Sequence, residues 1–69
     1  MTFQENEAQK KQLNIAGNIK EVFEKYMNDF NMDIPENDHR ASAIAIHEVM
    51  QKTLDILKKE IDKGTYDQF

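Results

Sequence analysis

Two histidines, His39 and His47, and a scatter of carboxylates are the side chains of this 69-residue sequence best suited to catalysis or metal binding. The histidines are eight residues apart, about 12 Å along a helix, so one ion cannot take both from the same chain. A di-iron site in a helical bundle needs Glu-x-x-His on an inward face, and the residue three before His47 is Ile44. Glu21 and Glu24 stand one helical turn apart, but the second acidic cluster that would complete a divalent-cation site is missing from the other helix. With no cysteine, disulfides and thiolate zinc sites are excluded. No catalytic residue, metal or cofactor is therefore expected.

Composition narrows the partners further. Thirteen acidic side chains against nine basic ones give a net charge of −4, and the cations are dispersed instead of gathered on one face. Direct nucleic-acid binding is not expected of such a surface. There is no run of 18 apolar residues, and the segment Met1-Thr2-Phe3-Gln4-Glu5-Asn6-Glu7 is polar and acidic, unlike a signal peptide. The expectation is a cytoplasmic protein with no membrane partner, and the lack of cysteine fits a reducing compartment.

The residues must be positioned by helices. Ala16, Ile19, Phe23, Tyr26 and Phe30 recur at alternating intervals of three and four, which aligns them on one helical face. Thr2-Phe3-Gln4-Glu5 has capping-box spacing, so the first helix is predicted over about 4–30, with a start held by little more than that cap. It should end around Asn28 to Asn31, where weak helix formers gather. A loop over about 31–37 contains Pro35, the only proline. Asn37 or Asp38 should cap a second helix over about 38–63, closed by Gly64. The tail Thr65 to Phe69 either frays or folds back through Tyr66 and Phe69.

The pattern specifies one all-α domain, an antiparallel helical hairpin. Its expected core is Ala16, Ile19, Phe23 and Phe30 on the first helix against Ile46, Met50, Leu54, Leu57 and Ile61 on the second. Each helix also has an apolar flank. On a wheel of about 100° per residue, Ile15 and Val22 lie to one side of the first stripe, and Val49 and Ile56 to the same rotational side of the second. With Tyr26 and Thr53 they form one apolar face of the hairpin and the expected interface. The opposite flank holds Lys20, Glu24, His47, Gln51 and Lys58 and is wetter.

A chain this short buries too little surface alone, and without a disulfide or metal the remaining staple is self-association. A second copy would make the hairpin an antiparallel four-helix bundle through an isologous interface. The other possible covers are a different protein or a third helix from the N-terminal segment. Within Gln4 to Gln12 only Ala8 is apolar.

Glu21-x-x-Glu24 has the spacing of the carboxylate pairs in Mg²⁺-dependent helical nucleotide pyrophosphatases. The stretch Val49-Met50-Gln51-Lys52-Thr53-Leu54-Asp55-Ile56-Leu57 resembles the second helix of the Spo0E-type aspartyl-phosphate phosphatases, small hairpins whose signature is Ser-Gln-x-Leu-Asp. Leu54 and Asp55 coincide with that signature, while Gln51 replaces its serine and Lys52 its glutamine. The resemblance implies a regulatory phosphatase or phosphotransfer accessory acting through Asp55. The residues themselves favour a different reading, a non-enzymatic, homodimeric protein–protein interaction module that regulates or inhibits a larger bacterial protein. Small acidic helical proteins of phages and mobile elements have this character.

Overall fold

Pro35 divides the chain. Its ring disfavours helical dihedrals at the preceding residue. In the computed structural model, which describes residues 2–69, Ile34 is accordingly extended, at φ −113° and ψ 111°. Three α-helices result: α1 (Phe3–Lys10), α2 (Gln12–Asp33) and α3 (His39–Asp62). The first long rod thus runs three residues past the expected stop. The asparagines at 28 and 31 are too weak as breakers to end a helix that Phe30 still anchors, and the stop is made by the proline.

The same rod is interrupted once. Lys11 takes φ −97° and ψ 8°, dividing the single helix expected over 4–30 into α1 and α2. The hydrogen-bond ladder brackets the break, with Lys11 N–H donating to the Glu7 carbonyl and Ile15 N–H to the Lys11 carbonyl. Nothing apolar holds α1 in place, since every described residue before Leu13 is exposed and α1 has close contacts with α2 alone. It extends the rod and does not fold over the apolar face. Thr2 caps it, its hydroxyl accepting from Glu5 N–H at 3.1 Å and donating to the Glu5 carboxylate at 3.2 Å.

The turn between α2 and α3 is tight and polar. Glu36 occupies left-handed backbone at φ 55°, a conformation that strains a residue with a side chain. Asp38 is the cap of α3, accepting from Arg40 N–H at 3.0 Å and Ala41 N–H at 3.1 Å. Asn37 instead turns inward, where its carbonyl oxygen accepts from the Ser42 hydroxyl at 2.5 Å. His39 Nε2 meets Asn31 Oδ1 at 3.0 Å and ties the two helix ends together.

At its far end α3 closes in a Schellman arrangement around Gly64, which has φ +84°. Thr65 N–H donates to the Glu60 carbonyl and Gly64 N–H to that of Ile61. The tail then folds back. The Tyr66 hydroxyl donates to the Glu60 carboxylate at 3.2 Å, and the Tyr66 and Phe69 rings meet edge-on at 5.9 Å between centroids. The negative Glu60 carboxylate, and the hydrogen bond to it, push the Tyr66 pKa above its ordinary value.

Packing is sparse. Among the described residues only Ile46 and Ser42, at 6% and 5% exposure, are buried. Phe23, Met27, Phe30, Ala43 and Met50 are half-buried. Burial fades away from the turn along α3, to 37% exposure at Leu57 and 51% at Ile61. The expected core is therefore narrower in the single chain: Ala16, Ile19, Leu54, Leu57 and Ile61 remain exposed. Two cylinders touch along a line, and each apolar stripe is wider than that line.

Substitutions at the helix ends test this account by urea denaturation. Asp38→Ala should lower the unfolding free energy by about 1 kcal/mol. Gly64→Ala should cost a similar ~1 kcal/mol, because the positive φ disfavours any side chain and an added Cβ would lie 2.8 Å from Asp67 Oδ2. Gly17→Ala should instead stabilise by about 0.5–1 kcal/mol, since an added Cβ there meets no atom within 4 Å. In a spectrophotometric titration, Glu60→Gln should bring the Tyr66 ionisation back down towards the ordinary tyrosine range. Because the folded pKa is the higher one, the stability linked to Tyr66 is present at neutral pH and lost as alkaline pH rises through it.

Candidate functional site

Between α2 and α3, on the flank that carries Val22 and Val49, lies an apolar groove of about 540 Å³. Helix α2 contributes Ile19, Val22, Tyr26 and Phe30, one residue per turn, and α3 contributes Ala45, Ile46, Val49, Met50, Thr53 and Leu54. The groove exists because the seam beneath it is so narrow. Ile46 fills the line of contact, and the side chains on either side of it diverge and leave a trough.

The structure brings together four of the six residues expected at the interface: Val22, Tyr26, Val49 and Thr53 all line the groove. Ile15 and Ile56 are exposed beyond it, towards the free ends of the helices, and prolong the apolar band. Five of the expected core residues, Ile19, Phe30, Ile46, Met50 and Leu54, also face the groove. The residues expected in the core and those expected at an interface thus share one continuous surface, because the hairpin is too thin to separate them.

Polarity in the groove is slight and already satisfied. The Thr53 hydroxyl donates to the Val49 carbonyl at 2.9 Å, the back-bonding expected of threonine inside a helix. It asks nothing of whatever covers the groove. The Lys25 ammonium sits 5.4 Å from the centroid of the Tyr26 ring, in the range of a cation–π contact at the rim.

Several contributors were not singled out in the sequence. Ser42 is the most deeply buried polar residue, one turn before Ile46 on the same face. Its residue type argued against burial, and only the acceptor on Asn37 makes that burial inexpensive. Ala45 lines the groove because a small side chain on the flank leaves the trough open. The helical spacing was visible at both positions, but the chemistry of serine and the size of alanine concealed it.

A second, smaller depression of about 250 Å³ opens on the other side of the seam. Its apolar floor comes from Ile19, Phe23, Met50 and Leu54, and its rim carries Lys20, His47 and Gln51. Asp55 lies about half a turn of the helix away from Ile46, exposed, and accepts from the Gln51 side-chain amide at 3.2 Å. Among the described residues, Glu7 and Lys11 pair at 3.3 Å and Lys58 and Asp62 at 3.0 Å, both one helical turn apart. Among the described residues no group of three or more His, Cys, Asp or Glu side chains is placed to hold a metal ion. Among the described residues no helix is long and apolar enough to cross a membrane. Comparisons with protein families, with curated proteins and with solved structures found no match to this chain.

Proposed function

We propose that this chain is a non-enzymatic protein–protein interaction module that works as a homodimer. The observation that carries the reading is the amount of surface left uncovered. The chain exposes 6469 Å², whereas a compact monomer of 8.1 kDa is expected to expose about 4,500 Å². Part of the difference belongs to the projecting α1. The remainder includes the exposed apolar band of α2 and α3, and even half of the difference, about 1,000 Å² per chain, falls in the range that stable interfaces bury. The radius of gyration points the same way, at 15.7 Å against about 11 Å for a compact chain of this length.

A second copy suits the groove because an isologous contact needs only one self-complementary patch. Two hairpins laid face to face would give an antiparallel four-helix bundle whose core includes Ile15, Val22, Val49 and Ile56. The far side of each hairpin stays free in that assembly. Its shallow depression, with an apolar floor and a rim of Lys20, His47 and Gln51, has the mixed character of a non-obligate interface. That side is the surface we assign to a larger bacterial protein, regulated or inhibited by docking without turnover.

Light scattering with size-exclusion chromatography tests the dimer. The wild-type chain should elute at twice its monomer mass. Val49→Glu or Ile56→Glu, which would bury an unpaired charge, should give a monomer or an unfolded chain. Ile44→Glu changes an equally exposed residue on the outward side of α3 and should leave the dimer intact. An unchanged oligomer in both flank variants, or hydrolysis of an aspartyl phosphate that depends on Asp55, would overturn the reading.

A further inference from the structure

We propose that the second copy packs head to tail, with the turn of each hairpin lying over the free helix ends of the other. This rests on the homodimer reading above and specifies its geometry. A face-to-face pair of hairpins has two twofold solutions: both turns at one end of the bundle, or the turns at opposite ends. Two independent observations separate them.

The first is charge. Around the turn, Asp29, Asp33, Glu36 and Asp38 face only one cation, Arg40, whereas the free ends carry balanced charge, with Lys58, Lys59 and Lys63 beside Glu60, Asp62 and Asp67. With the turns together, two acidic ends would lie side by side. With the turns apart, each acidic turn meets a partner end that includes lysines. Like-charge juxtaposition disfavours the first arrangement, whereas the second sets each acidic turn against a partner end of balanced charge.

The second is the gradient of packing. Each hairpin is closed near its turn, where Ser42 and Ile46 are buried, and loosens towards Leu57 and Ile61. Superposing two loose ends would leave the bundle poorly filled at one end. Laying the closed end of one copy over the loose end of the other covers the exposed Ile15, Ile56 and Ile61 with the best-ordered part of the partner. The twofold axis then crosses the helices at the level of Val22 and Val49, the middle of the groove.

The chain has no cysteine, so one introduced thiol takes one spin label. Met32, at the turn end of α2, is 84% exposed, and Met32→Cys should leave the fold unchanged by circular dichroism. In the head-to-tail dimer each label lies ten residues from the axis, so label-to-label separation should be roughly 30 Å or more. With the turns together it would be about 10–20 Å, set by the spacing of packed helices. Pulsed dipolar spectroscopy on the full chain distinguishes the two. A distance near 15 Å would overturn the head-to-tail arrangement while leaving the dimer standing. The absence of any dipolar modulation would overturn the dimer itself. As a second measurement, Val49→Cys should oxidise readily to a covalent dimer, since equivalent residues on α3 face each other only when the turns are apart.

Discussion

Contact between two helical rods along a single line is the constraint on which the rest of this molecule depends. A helix offers an apolar stripe at least 100° wide, and one neighbour covers only part of it. Here the line of contact is filled by Ile46, with Ser42 beside it and half-buried Phe23, Phe30 and Met50 flanking them. The uncovered edges of the two stripes are the walls of the groove. The site is thus a consequence of how little the fold can bury, and the proposed second layer would complete what the hairpin begins.

Local devices hold the rods at their ends. The Asp38 cap, the His39 to Asn31 contact and the Asn37 to Ser42 hydrogen bond all lie at or beside the turn. The Schellman closure at Gly64 and the Tyr66 to Glu60 bond finish the other end of α3. These are polar, short-range interactions, of which the Asp38 cap contributes on the order of 1 kcal/mol. They define where α3 starts and stops but cannot draw α2 and α3 together along their length. The loosening from Ile46 to Ile61 follows from that division of labour.

Much of this was legible in the residues. The three-and-four spacing from Ala16 to Phe30 gave the first rod, Pro35 the break, and Gly64 the closing turn. Four flank residues, Val22, Tyr26, Val49 and Thr53, converge on the groove, because a rotational offset on a wheel survives into any antiparallel pair. Other features depended on three-dimensional facts. The interruption at Lys11 has no proline or glycine to announce it. The extension of α2 to Asp33 required weighing Phe30 and Pro35 against two asparagines. The exposure of Leu54, Leu57 and Ile61 reflects how little of each stripe a single neighbouring helix covers, which periodicity does not encode.

The central claim is that the hairpin draws its stability from another copy of itself, and the concentration dependence of its unfolding tests this most directly. If folding and association are coupled, the thermal or urea midpoint must rise with total chain concentration by mass action. A midpoint that climbs steadily over a hundredfold range of protein concentration is the predicted result. A cooperative transition at the same midpoint throughout that range, from a species of 8.1 kDa, would contradict the account.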